Sequence, residues 1–127
     1  MQAIRGQDTK PEMVVRRGLH RRGLRFRIHR RDLPGTPDLV FPGRRVAVFV
    51  HGCFWHMHDC RFFRLPSTNR ERWQTKLEGN RARDQRNQQR LSDAGWRVVI
   101  VWECDIRSKS ADSVEAFLDD LADRIRS

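Results

Sequence analysis

The chain has no apolar run that approaches the roughly 20 residues needed to span a bilayer, which argues against a transmembrane helix. Residues 1–5 lack the apolar core of a secretory signal, and we therefore expect a cytoplasmic protein with no membrane partner. Three cysteines are an odd number, which argues against a closed disulfide framework. In a reducing compartment, a cluster of Cys and His is more often a metal site. The sequence also lacks internal repeats, low-complexity segments and linkers, and its 127 residues fit a single domain over residues 1–127.

Acidic residues are scarce: 16 Asp and Glu stand against 26 Lys and Arg, for a formal net charge of +10. The excess is mostly arginine, whose planar guanidinium suits phosphates and guanine edges. Residues 16–31 hold eight arginines and no acidic residue, which favours a surface that contacts nucleic-acid phosphates. A basic protein that only stays soluble, or that binds ribosomal RNA structurally, is the alternative.

Hydrophobic periodicity predicts an α/β fold with a central sheet flanked by helices. The first helix is predicted from Thr9 to about Arg22, with Thr9 as its cap, Glu12 completing a capping box and Gly23 ending it. The remaining helices are predicted at 70–94 and from a cap near 112, with Glu115 three residues on. Strands are predicted at 24–29, 39–41, 46–50 and 97–102, with 46–50 in the centre.

Two carboxylates occupy positions where the sequence allows either a local or a chemical role. Glu12 lies at i, i+3 and i+7 with Val15 and Leu19, so it is either only a cap or a group that points toward the sheet. Asp38 follows a turn at 33–37 and begins a short strand. A lone Asp there is usually a turn residue, but a neighbouring histidine cluster makes it a candidate Mg2+ ligand.

Residues 51–60, HGCFWHMHDC, contain three histidines and two cysteines. Four side chains have the chemistry of a closed structural zinc site, provided that the last strand lies beside the central one: Cys53, His58, Cys60 and Cys104. Three unrelated buried thiols are the alternative.

The other two histidines, His51 and His56, suit proton transfer to and from water or a leaving oxygen. Together with Asp38 they indicate phosphodiester hydrolysis, although histidines near a zinc loop also often serve only as hydrogen-bonding groups. Phe54 and Trp55 are adjacent aromatics on a basic protein, and they suit wedging between base pairs or covering the metal.

Three segments together resemble the very-short-patch repair (Vsr) DNA mismatch endonucleases: 33–38, 49–60 and 95–104. The likeness extends from residue 1 to about 107. It implies a fold similar to restriction endonucleases of the PD-(D/E)xK type, with a mixed sheet and a structural zinc. It also implies an Mg2+-dependent enzyme that nicks one strand beside the thymine of a T·G mismatch left by deamination of 5-methylcytosine.

The resemblance also implies the roles of individual residues. Its catalytic set consists of Asp38, His56, His51 and Glu12. Within that set His56 would activate water, and Asp38 would hold Mg2+ with the main-chain carbonyl of Val50. Structural Zn2+ would be bound by Cys53, His58, Cys60 and Cys104. DNA would be contacted by intercalating Phe54 and Trp55, by Met1 from the other groove, and by Lys76 and Asn80 at the mismatched pair. Val50 stands where the family is expected to carry threonine.

The implied partner is double-stranded DNA with a T·G mismatch, and the enzyme is expected to be a monomer. Mismatch-repair proteins and a DNA polymerase would act after the nick. Two other functions remain open at this point. One is a restriction-type nuclease of the same fold that cuts correctly paired DNA, and the other is a zinc-stabilised DNA-binding module without catalysis. Binding alone needs none of the four catalytic residues, which speaks against the module.

Overall fold

A computed structural model describes residues 9–127, so the predicted DNA contact of Met1 lies outside the described residues. The helices are α1 (Lys10–Arg21), α2 (Arg70–Asp93) and α3 (Ala111–Arg126), and the strands are β1 (Arg27–Ile28), β2 (Leu39–Phe41), β3 (Val46–His51) and β4 (Arg97–Trp102). No helix in this part of the chain is both long and apolar enough to cross a membrane.

The strands form one sheet in the order β1-β2-β3-β4. β1 and β2 are antiparallel, as are β2 and β3, whereas β3 and β4 are parallel. The predicted mixed sheet with helices beside it is therefore confirmed, and β3 is central as predicted. Because β3 and β4 run in the same direction, their C-terminal ends bring residues 51 and 102 into register at one edge of the sheet.

The sheet lies between two helical layers. On one face, α1 and α3 bury a large apolar core with alternate residues of β3, including Val46 and Val48. On the other face, α2 packs against Ala47 and Phe49 through Leu91. Since side chains alternate along a strand, His51 belongs to the face that α2 covers. This alternation places a histidine of the central strand opposite the polar side chains of α2.

Two local predictions need correction. The strand predicted at 24–29 is paired only at 27–28, opposite Val40 and Leu39, and it ends where the backbone of His29 turns to the left-handed region with φ +50°. The cap of α3 is Ser110, whose hydroxyl oxygen accepts a hydrogen bond from the Ser113 N–H at 3.1 Å.

The predicted cap of α1 is confirmed, since the Thr9 hydroxyl oxygen accepts the Glu12 N–H at 3.4 Å. The capping box is not: the Glu12 carboxylate bonds to Arg16 and His29.

The arginines of residues 16–31 are less available to phosphates than their density indicates. Four of the eight pair with carboxylates: Arg16, Arg21, Arg22 and Arg30. Arg22 contacts both Glu115 and Asp119 of α3, and the Glu115 bond contributes most to raising the pKa of Arg22. Part of this basic run therefore fastens α1 to α3.

Candidate active site

Asp38 lies immediately before β2 and is tied to the central strand. Its carboxylate oxygen Oδ2 accepts a hydrogen bond from the backbone N–H of Val50 at 2.6 Å. Burial is the main reason that the pKa of Asp38 rises to about 6; the Val50 N–H opposes the rise and the Glu12 carboxylate adds to it. A half-buried carboxylate with a carboxylate neighbour fits a divalent cation, which would favour its charged form. The role of the Val50 carbonyl stays a prediction.

Glu12 is also part of this region but is almost completely buried, at 1% exposure. Its Oε2 atom accepts from Arg16 Nη2 at 2.5 Å and from His29 Nε2 at 2.7 Å. One ligand-type atom from each of Glu12, His29 and Asp38 lies within 4.8 Å of the others. The sequence had left open whether Glu12 is only a helix cap, and its carboxylate instead belongs to the network beside Asp38.

His51 and His56 form a stacked pair across from this network. Their ring centroids are 3.7 Å apart and the ring planes differ by 2°. Burial, followed by the nearby His56, lowers the pKa of His51 to about 3, so this ring is neutral at neutral pH. Among the described residues no hydrogen-bond partner reaches Nδ1 of His51. His51 is therefore a neutral stacking surface for His56 rather than a group that changes charge near neutrality.

His56 contacts Asp84 of α2 through a hydrogen bond from its Nδ1 atom. Because an ionised carboxylate can only accept, this bond places the imidazole proton on Nδ1 and leaves Nε2 with a lone pair. A carboxylate that fixes the tautomer and orientation of a histidine is a common arrangement for a general base. The pair thus has the geometry to receive a proton from water.

Except for Glu12, these groups line one cavity of about 710 Å3 between the start of α1, the sheet and α2. Its wall includes ionisable and amide side chains from α2 and from the strands and loops of the sheet: His29, Asp38, His51, His56, Asn80, Arg83, Asp84, Asn87 and Gln88. The structure therefore brings Asp38, His51 and His56 together, as the sequence predicted. It adds His29 and Asp84, which the sequence reasoning did not select.

The four predicted zinc ligands also converge. One ligand atom from each of Cys53, His58, Cys60 and Cys104 lies within 4.8 Å of the others. This spacing fits a tetrahedral ion, whose sulfur ligands at about 2.3 Å from the metal are about 3.8 Å apart. Burial raises the pKa of the Cys53 and Cys104 thiols, and a bound cation would favour their thiolate forms. The donor set therefore fits a metal.

Trp102 connects this sulfur cluster to the histidine pair. Its ring stacks on His58, with centroids 3.9 Å apart and planes 7° apart. The same ring meets His51 edge-on at 5.3 Å. Next to it, Glu103 Oε1 accepts the backbone N–H of Cys53 at 3.2 Å. The end of β4 thus holds both the loop of the sulfur cluster and the last residue of β3.

The two predicted wedge residues belong to a larger aromatic cluster. Phe54 and Trp55 contact each other with ring centroids 5.1 Å apart, and both contact Trp73 at the start of α2, at 5.5 Å and 5.9 Å. The ammonium of Lys76 lies 5.8 Å from the Trp55 ring and 5.7 Å from the Trp73 ring. All three aromatic residues are half-buried. Phe54 and Trp55 also line the cavity, so the predicted wedge pair borders the predicted catalytic groups.

Asn80, the other predicted contact to the mismatched pair, is one helical turn from Lys76. Its side-chain oxygen accepts a hydrogen bond from Arg83 Nη2 at 2.9 Å, and Asn80 and Arg83 both line the cavity. The sequence placed Lys76 and Asn80 on the same side of the helix, and the structure is consistent with that placement.

Sequence signals for the missed residues were present but weak. Asp84 is seven residues from each of the buried Leu77 and Leu91, so its position on the inward face of α2 was readable. By composition alone, however, an Asp at this position only interrupts an apolar face. His29 ends a run of alternating apolar and basic residues, and nothing local distinguishes it. Its partner Glu12 is 17 residues away and on another element.

Comparisons with known proteins converge on one family. The profile of the family described as DNA mismatch endonuclease Vsr matches residues 1–62. The type II nicking enzyme V.XorIIP of Xanthomonas oryzae pv. oryzae is 52% identical over 123 residues, which cover 97% of this chain and 89% of that protein. DNA mismatch endonuclease Vsr of Escherichia coli (strain K12) is 42% identical over 125 residues, which cover 98% of this chain and 80% of that protein.

Proposed function

This chain belongs to the Vsr family of DNA mismatch endonucleases and is a DNA-nicking hydrolase, and we propose that it nicks one strand at a T·G mismatch in an Mg2+-dependent reaction. The mismatch would arise by deamination of 5-methylcytosine, and the nick would begin very short patch repair by mismatch-repair proteins and a polymerase. The observation that carries the proposal is the convergence of Asp38 and the His56–Asp84 pair on one cavity.

The catalytic roles follow from this arrangement. His56 takes a proton from the attacking water at Nε2, because Asp84 holds the proton on Nδ1. Asp38 and the carbonyl of Val50 are the groups that would hold Mg2+, which when bound supplies Lewis-acid polarisation of the phosphate. His51 stacks on His56 and keeps its ring in place, and Glu12 assists from the opposite side.

We assign a structural Zn2+ to Cys53, His58, Cys60 and Cys104. Since Cys104 follows β4 whereas the other three ligands follow β3, the ion would cross-link two segments far apart in sequence. That link fixes the loop carrying His56 against the end of the sheet. We retain the expectation that the fold is related to the PD-(D/E)xK restriction endonucleases and that the enzyme acts as a monomer.

Selectivity for the mismatch would come from the aromatic cluster and α2. Inserting Phe54 and Trp55 unstacks a base step at a cost of a few kcal/mol, and the cost is least where pairing is already weak. Lys76 and Asn80 would then contact the edges of the wobble pair and add roughly 1–3 kcal/mol of discrimination. Met1, outside the described residues, is the proposed contact from the other groove.

The function is tested by single-turnover nicking of T·G, T·A and C·G duplexes in a set of flanking sequences, with and without Mg2+. We expect nicking of the T·G strand alone and only with the divalent cation. Equal nicking of T·G and T·A duplexes in every flanking context would favour the restriction-type nuclease. Binding without nicking of any duplex would favour the non-catalytic module.

The wedge is tested by Trp55→Ala, with Trp55→Phe as the matched aromatic control. We expect the alanine variant to slow T·G nicking by about 10-fold or more, because stacking on a base contributes roughly 1–3 kcal/mol. Background binding to paired DNA should change little, since that binding depends mostly on phosphate contacts. If both variants nick as fast as the wild type, Trp55 does not act as a wedge.

A further inference from the structure

The least expected group in the cavity wall is His29, which follows the short edge strand β1. Its backbone has φ +50°, in the left-handed region that non-glycine residues seldom adopt. The conformation is held locally, because the His29 N–H donates to the backbone oxygen of Asp38 at 3.2 Å. Unfavourable backbone conformations of this kind concentrate at functional sites. Here the conformation places the imidazole against the cavity beside Asp38.

His29 and Glu12 are differently placed relative to the cavity. His29 lines it, whereas Glu12 is not among the lining residues and its side chain is only 2% exposed. Glu12 Oε2 receives both the His29 Nε2 hydrogen bond and that of Arg16. The carboxylate therefore lies behind the imidazole, fixed to its own helix by Arg16. In this position Glu12 can orient His29 more directly than it can reach a phosphate.

The same relation occurs across the cavity, where Asp84 holds His56 through Nδ1. Two of the three histidines that line the cavity, His29 and His56, are thus each held by a carboxylate from a helix, Glu12 of α1 and Asp84 of α2. On the α2 side the carboxylate is itself in the cavity wall, whereas on the α1 side only the histidine is.

We propose that His29 is a further catalytic residue that contacts the phosphodiester beside Asp38, and that Glu12 is the positioning residue that orients it. This inference rests on the proposed nicking function and reassigns Glu12, which the family resemblance placed among the groups that assist directly. In this arrangement His29 contacts the phosphodiester, Glu12 orients His29, and Arg16 holds Glu12 in place. Glu12 then affects the reaction only through the imidazole.

The test compares single-turnover nicking by His29→Ala, Glu12→Gln and the double variant, on whichever duplex the wild type cuts. We expect His29→Ala to lower the rate at saturating DNA by about 10-fold or more, because a hydrogen bond to a charged phosphate oxygen contributes a factor of about that size. Glu12→Gln should cost less, because its amide oxygen still accepts from Nε2. The double variant should equal His29→Ala, since Glu12 has nothing left to orient.

A double variant slower than His29→Ala by the full Glu12→Gln factor would overturn the proposal, because Glu12 would then act independently. His29→Gly separates side chain from backbone, since glycine adopts the left-handed conformation without strain and has no side chain that could contact Glu12 or the phosphodiester. We expect it to match His29→Ala, and a wild-type rate in this variant would also overturn the proposal. His20→Ala changes an exposed histidine of α1 and should nick normally.

A binding measurement distinguishes substrate contact from metal ligation. In a Mn2+ titration followed by electron paramagnetic resonance, without DNA, His29→Ala should keep the wild-type affinity within about threefold and Asp38→Ala should lose it. Equal loss in both would make His29 a metal ligand and overturn its assignment to the phosphodiester. A wild type that cuts no duplex would instead overturn the proposed function, which keeps the two failures distinct.

Discussion

The sulfur cluster and the cavity wall lie on the two sides of one short loop, yet their polar groups are arranged in opposite ways. In the sulfur cluster, Cys53, His58, Cys60 and Cys104 face one another, and Trp102 covers His58. In the cavity wall, Asp38, His29 and the His56–Asp84 pair face an open space of about 710 Å3. Both regions contain histidine, but with cysteines it forms a closed site and with carboxylates it forms an open one.

This difference separates stability from catalysis. A closed tetrahedral site satisfies its ligands within the protein and contributes directly to folding. An open site keeps buried polar groups only partly satisfied, as the unpartnered Nδ1 of His51 and the raised pKa of Asp38 illustrate. Substitutions in the first region should mainly lower stability, and substitutions in the second should mainly lower activity.

The largest effect is expected for Cys104→Ser, which removes the ligand contributed by the end of β4. Purified protein should contain about one zinc per chain, and the variant should lose it together with roughly 3 kcal/mol or more of folding free energy. Metal analysis and urea unfolding measure the two quantities. A wild type without zinc in reducing buffer would contradict the assignment, and a variant that unfolds like the wild type would contradict the comparison.

The next effect is the loss of activity without loss of stability in Asp38→Ala. We expect the nicking rate to fall by about 1,000-fold or more, because a catalytic cation contributes several kcal/mol of charge stabilisation. Zinc content and DNA binding should stay at wild-type values, which makes this variant the control for Cys104→Ser. Nicking at the wild-type rate would show that the catalytic cation is held elsewhere.

Sequence reasoning succeeded where the ligands are close together or where a strand pattern brings them together. Residues 53–60 are local, and Cys104 reaches them because β4 lies beside β3, which was the condition on which the sequence-based cluster depended. It failed for His29 and Asp84, whose partners are 17 and 28 residues away on other elements. Such pairs depend on how helices pack on the sheet, and single-residue patterns contain little information about that packing.

The arginines show that charge density in the sequence is an equally limited guide to DNA contacts. Density alone predicted a phosphate-contacting surface over 16–31, but Arg21 and Arg22 pair with α3 across more than 90 residues of sequence. The cations of α2 include Arg83, which bonds to Asn80 at the cavity instead of to a carboxylate. Whether an arginine is available to DNA is decided by the helix it packs against, and composition does not specify that helix.

The smallest effect is expected in the pH dependence of the folding stability, which separates the cavity wall from the sulfur cluster. Burial, above all, raises the pKa of Asp38 to about 6 from an ordinary value of about 3.9. Between about pH 4 and 6 the unfolded chain therefore loses a proton that the folded chain keeps, so this group's contribution to stability falls as pH rises through that window. Asp38→Asn removes the charge while its amide oxygen still accepts the Val50 N–H.

In buffer without Mg2+, we expect Asp38→Asn to be more stable than the wild type by roughly 2–3 kcal/mol at pH 7.5, and by less than about 1 kcal/mol near pH 4.5. Urea unfolding across this range measures the difference. Adding Mg2+ should stabilise only the wild type and narrow the gap at pH 7.5, because only the charged carboxylate binds the cation. A stability difference between the two proteins that is independent of pH would mean that Asp38 ionises with its ordinary pKa. The cavity wall would then not lower the stability of the fold, and this contrast with the sulfur cluster would fail.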